Sequence, residues 1–137
     1  MKTRTLTSLK ILAAILLFGF TIISCGRDSD NEETPTSGYP KNVTIEYKLT
    51  GTGITNGSVL FAYTNESGGT SSLTDQNVPI SKTVSRTVNQ YDGIGLGFSA
   101  AGNGTVKAEI LVNGTVMKTQ NFTSSSVFSG NLVYIFP

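Results

Sequence analysis

Residues 105–119 read TVKAEILVNGTVMKT, and the pair Asn113-Gly114 within them decides the fold class. A two-residue type I′ turn needs positive φ at both central positions, which asparagine and glycine tolerate best; alternating apolar and polar runs on either side complete a hairpin signature. With those two residues at the tip, Val112 faces Thr115, Ile110 faces Met117 and Ala108 faces Thr119. On the other side Glu109 faces Lys118, an opposite-charge pair contributing roughly 0.2–1 kcal/mol, which marks that side as solvent.

The same period of two extends outward along the chain. Val43, Ile45, Tyr47 and Leu49 alternate with Thr44, Glu46, Lys48 and Thr50, and Val59, Phe61 and Tyr63 carry a second strand up to a turn at 65–69. Weaker strands are expected near 70–76 and 80–88. Ile94, Leu96, Phe98 and Ala100 alternate with glycines and serine, Val106, Ala108 and Ile110 follow, and Leu132 to Pro137 is a further apolar strand. If 93–100 pairs with 105–112, a loop of odd length keeps Phe98 opposite Ala108 and Leu96 opposite Ile110. In 80–88, Ile80, Lys82, Val84, Arg86 and Val88 share one parity. Burying unpaired cations is costly, so this strand is expected at a sheet edge, where basic side chains discourage pairing with other molecules. Short strands separated by turn signals over about 100 residues fit an all-β sandwich or small barrel.

Before this region the chain has a different character. Lys2, Arg4 and Lys10 form a basic head, residues 11–23 (ILAAILLFGFTII) are uncharged, and Ser24-Cys25 closes the run. That is the layout of a secretory leader; thirteen residues at about 1.5 Å rise fall short of a hydrocarbon core about 30 Å thick. The tetrapeptide IISC resembles the lipobox of bacterial lipoproteins, which implies cleavage between Ser24 and Cys25 and lipidation of Cys25. An ordinary secretory leader with an incidental cysteine is the competing reading. One acyl chain binds a membrane marginally and two or more hold it stably, so the resemblance implies a tethered protein of the cell envelope. Three segments follow: a signal peptide over 1–24, a lipidated cysteine with an acidic tether over 25–38, and a domain over 39–137.

The tether is polar, and its acids outnumber Arg27. It reads as a disordered spacer with a reach of about 20 Å. Ser29-Asp30-Asn31-Glu32-Glu33 also resembles the acidic surface-export signal of some Gram-negative lipoproteins, which implies an outer-membrane location with exposure at the cell surface. Loss of the three leader cations takes the formal charge from +1 to −2. The domain itself is near neutral with scattered charge, so it has no electrostatic footprint for nucleic acid.

Cys25 is the one cysteine and there is no histidine. These counts exclude Ser-His-Asp catalysis, HExxH metal sites and, with Cys25 lipidated, disulfides and thiolate chemistry in the domain. No motif carries catalysis, and no metal or cofactor is implied. Gly93-Ile94-Gly95-Leu96-Gly97 superficially suggests a phosphate-binding loop, but such a loop must open a helix. Within a strand pattern, the glycines instead make a side-chain-free face that admits another layer closely. Residues 89–93 read as a turn, since one carboxylate is too few for calcium.

The runs EYKLTGTG (46–53), AYTNESGGT (62–70), VPISKTV (78–84) and ILVNG (110–114) resemble the MmpS-like domain. That resemblance implies an immunoglobulin-like antiparallel β-sandwich of about seven strands. It also implies a role as the membrane-anchored accessory subunit of an envelope exporter, although the exporter-associated members carry a cysteine pair absent here. Two function classes follow: a non-catalytic envelope interaction module whose partner is another envelope protein, or a lipoprotein that binds glycan or another small ligand. Sugar recognition uses exposed aromatic rings, and Tyr91, Phe122 and Phe128 are the candidates outside the core parity.

Overall fold

Strand β5, Gly93–Val112, runs for 20 residues and belongs to both layers of the fold. A computed structural model describes residues 38–137. Around β5 stand β1 (Lys41–Ile54), β2 (Val59–Thr64), β3 (Thr70–Gln76), β4 (Ile80–Val88), β6 (Thr115–Ser124) and β7 (Val127–Ile135). Every pairing is antiparallel. Sheet one has the order β4–β1–β5–β6 and uses the C-terminal half of β5; sheet two has the order β3–β2–β5–β7 and uses its N-terminal half. The seven-stranded antiparallel sandwich is thus one curled sheet. Among the described residues no helix is long and apolar enough to cross a membrane.

The hairpin expected between 93–100 and 105–112 does not form: these are two halves of one strand. Each half already has a neighbour on both edges, so β5 has no free edge with which to pair with itself. Even-numbered residues face inward on both sides of the corner, from Ile94 to Ala100 and from Val106 to Ile110. At the corner the even positions are Gly102 and Gly104. A methyl group on Gly102 would strike the Gly53 carbonyl, one on Gly104 the Thr52 carbonyl, and one on Gly53 the Asn103 carbonyl. The β1 backbone therefore passes closer to β5 than any side chain allows, and a register shift between Thr52 and Ile54 accommodates the bend.

The core follows the alternation. Val43, Ile45, Tyr47 and Leu49 of β1 pack with Val59, Phe61 and Tyr63 of β2 and with the inward residues of β5. Tyr47 ties the layers together: its ring is fully buried and its hydroxyl donates to the Thr64 carbonyl at 2.9 Å. Burial pushes its pKa up to about 12. Strand β4 pairs only with β1, the expected edge position. Its Arg86 lies inward, 13% exposed, and reaches Asp92 at 3.5 Å; the Asp92 carboxylate also accepts the Asn89 amide.

The Asn113-Gly114 turn forms with φ of 50° and 80°, and Val112 faces Thr115 as expected. Beyond Leu111↔Val116 the register shifts by one residue at Met117, so Ile110 faces Lys118 and Glu109 faces Thr119. Glu109 takes its ion pair from Lys107 instead, at 2.6 Å. The cause lies farther along β6. A one-residue slip exchanges the two faces of a strand, and the bulge sets Phe122 opposite Val106, on the inward side. There its ring meets Phe98 edge-on at 5.0 Å and covers Gly130 of β7, where a methyl group would collide with it.

Phe122→Ala is expected to lower the unfolding free energy by about 2–4 kcal/mol in urea titration, toward the lower part of the large-to-small range because the ring is half-buried. Stability is also expected to decline as pH rises from about 10 to 12. The unfolded phenol of Tyr47 ionises first, so its contribution is whole below pH 10 and is lost through the folded pKa. Tyr47→Phe removes that decline in denaturant titrations at stepped alkaline pH.

Candidate functional site

The two outward faces of the sandwich differ in charge. On sheet one the outward residues include Glu46, Lys48, Lys107 and Glu109, which pair along their own strands as Lys48–Glu46 at 3.6 Å and Lys107–Glu109 at 2.6 Å. On sheet two the strands β2, β5 and β7 have no charged outward residue, and β3 carries a single exposed acid, Asp75, at its register shift. The registers place Leu60, Ala62 and Thr64 of β2, Thr70 and Ser72 of β3, and the odd-numbered residues of β5 (93–101) and β7 (127–135) on that face. This asymmetry picks out sheet two as the candidate site.

Its centre is a trough. Gly95 and Gly97 form the floor, with Gly93 next along β5; Ala62 and Thr64 stand on one side and Asn131 and Val133 on the other, around a hollow of about 250 Å³. Directly across from the glycines, Ile135, Val133 and Asn131 form a raised rim, and Val133 and Ile135 are 52% and 58% exposed. The Thr64 hydroxyl accepts the Gly95 amide at 2.9 Å and fixes the β2 wall against the floor. The layer that the glycine face admits is therefore not the other sheet, which packs against Ile94, Leu96 and Phe98 on the opposite side.

These glycines are not required by the fold. A methyl group on Gly93 would meet nothing within 4 Å, one on Gly97 only the Gly130 carbonyl at 4.0 Å, and one on Gly95 nothing closer than 3.5 Å. None has a positive φ. Glycine within a strand is less stable than alanine by roughly 0.5–1 kcal/mol, so three of them in the most connected strand carry a free-energy cost with no internal compensation. Gly53, Gly102 and Gly104 are the opposite case, since backbone fills the space a side chain would need.

The sequence-derived candidates fall in different environments. Phe128 is 1% exposed and belongs to the core; Phe122 is half-buried and packs on Phe98 and Gly130. Tyr91 is 74% exposed at a turn, with φ of 66°, where its amide donates to the Phe136 carbonyl. That turn adjoins Gly93 and so lies at one end of the trough. Ser24, Cys25, Ser29, Asp30, Asn31, Glu32 and Glu33 lie outside the described residues. The rim residues Val133 and Ile135 escape a search for polar or aromatic sites. Their signal is an apolar run on both parities of β7, the pattern of a strand covered on both faces. Among the described residues no group of three carboxylate, histidine or cysteine side chains stands close enough to hold a metal.

No protein-family model matches the chain, and no curated protein is detectably similar to it in sequence.

Gly97→Ala is expected to raise the unfolding free energy by about 0.5–1 kcal/mol, whereas Gly102→Ala and Gly104→Ala are expected to prevent stable folding. Thermal melting of the three variants measures the contrast.

Proposed function

We propose that this chain is a non-catalytic lipoprotein of the cell envelope, anchored through acylated Cys25, whose β-sandwich is an interaction module that docks through the outward face of sheet two. One observation carries the docking reading: glycines at 93, 95 and 97 weaken their own strand, and no neighbour in the domain fills the space they leave. A surface that lacks charge over β2, β5 and β7 and has a side-chain-free floor suits close approach by another protein layer. The anchor rests on the basic head, the thirteen-residue apolar run and the lipobox-like IISC. The acidic segment at 29–33 supports display at the outer membrane, lifted from the bilayer by the spacer. The MmpS-like resemblance makes an envelope exporter one candidate partner.

A second reading has its own support. Tyr91 offers an exposed ring at the end of the trough, and Asn131, Thr64 and Thr70 line the hollow with hydrogen-bonding groups. A glycan stacking on Tyr91 would use both.

Cys25→Ala is expected to move the protein from the membrane fraction to the soluble fraction; unchanged sedimentation would overturn the anchor. For the docking face, a photo-crosslinking residue at Ser129 should capture a discrete protein adduct in intact cells, and the same residue at Thr83 on sheet one should not. A Ser129 variant without adducts, together with glycan-array binding abolished by Tyr91→Ala, would transfer the assignment to sugar recognition.

A further inference from the structure

We propose that the occupant of this face is the same face of a second copy of the chain, each copy laying Val133 and Ile135 over Gly95 and Gly93 of the other. The inference rests on the docking reading above and names its partner. A two-fold interface needs a patch that is complementary to itself. Here every hollow has its protrusion beside it at the same height: Gly93 lies across from Ile135, Gly95 from Val133 and Gly97 from Asn131. Consider a two-fold axis in the interface plane, running along the strands midway between β5 and β7. Rotation about it keeps each residue at its own height and exchanges the two rows. The rim of each copy then enters the floor of the other at three positions at once. The aligned packing of twisted sheets, with strands within about 30°, needs only a tilt of that axis.

Charge selects the same arrangement. In a two-fold contact each residue meets its own kind or a near neighbour, so a patch with charges brings like charges together. The outward residues of β2, β5 and β7 have none, whereas the outward face of sheet one carries Glu46, Lys48, Lys107 and Glu109. The edge strand β7 is likewise uncharged along all nine residues, while β4 has Lys82 and Arg86, β6 has Lys118 and β3 has Asp75. Charge on an edge is the usual guard against pairing with another molecule, and β7 lacks it.

Size sets the strength. With the axis between β5 and β7 the copies overlap over those two strands, which, about 4.8 Å apart and some nine residues long at about 3.4 Å per residue, make a flat patch of roughly 300 Å² on each copy. A stable interface needs about 800 Å² a side, so this pair is weak in dilution. It forms where tethering confines the copies to one surface and raises their effective concentration.

The test uses full-length, lipidated protein in its own envelope. Two differently tagged copies are co-expressed, one with Gly97→Cys and the other with Asn131→Cys, and the cells are treated with a short membrane-permeant bis-maleimide. A cross-linked species carrying both tags is expected. Thr83→Cys with Thr119→Cys, on the outward face of sheet one, should give none, and adding Gly95→Leu to both copies should abolish the product while thermal melting shows the fold intact. An equal yield from the sheet-one pair would overturn the proposal as random collision. Absence of the two-tag product, with a Ser129 photo-adduct whose mass is not twice that of the chain, would also overturn it and leave the docking reading standing. Absence of both would remove both.

Discussion

The whole architecture depends on a close backbone crossing. At Gly53, Gly102 and Gly104 the main chains of β1 and β5 approach to a distance that excludes even a methyl group. Because β5 can bend there without a break, one strand supplies the centre of both sheets, and the inner faces of both halves close over one core. β1 followed by β2 runs along one side of β5, and β6 followed by β7 along the other, each changing sheet near the same corner. A side chain at any of the three glycines would separate the crossing strands, and the two layers would lose the geometry that lets Tyr47 span them.

The second organising feature is the bulge at Met117. It turns β6 over, so that the strand leaves the corner with Phe122 directed at Phe98 and Gly130 instead of at solvent. Gly130 accepts the ring because it has no side chain, and the ring in turn covers backbone that would otherwise be wet. Outside its positive-φ turns, glycine has three separate uses in this small domain: backbone crossing at the corner, an aromatic seat at Gly130, and an open floor at 93–97. Of these three, the floor alone has no partner among the described residues, and that distinction makes it the candidate site.

The two faces of the sandwich then divide the work. Sheet one keeps its outward charges satisfied along its own strands, which suits a surface facing water. Sheet two faces outward with glycine, small hydroxyl residues and β-branched aliphatics, a composition that gains from being covered. The proposed anchor would concentrate weak contacts at a surface, where a modest patch suffices and a freely diffusing protein would need a larger one.

Much of this was legible in the residues alone. Strand parity follows from the pleat, a local property, so the core sets at 43–49, 59–63, 94–100 and 106–110 could be read from alternation, as could the positive-φ turn at Asn113-Gly114 and the edge position of β4. The glycine strip could be read as a side-chain-free face. Decisions that depend on residues distant in sequence could not be read: the fusion of 93–100 and 105–112 into one strand, which required β1 at the corner, and the slip in β6, which required Phe98 and Gly130. The burial of Phe122 and Phe128 and the uncharged continuity of β2, β5 and β7 also appear only when the strands stand side by side. Alternation assigns a residue to a face, but only the assembled sheet determines what that face meets.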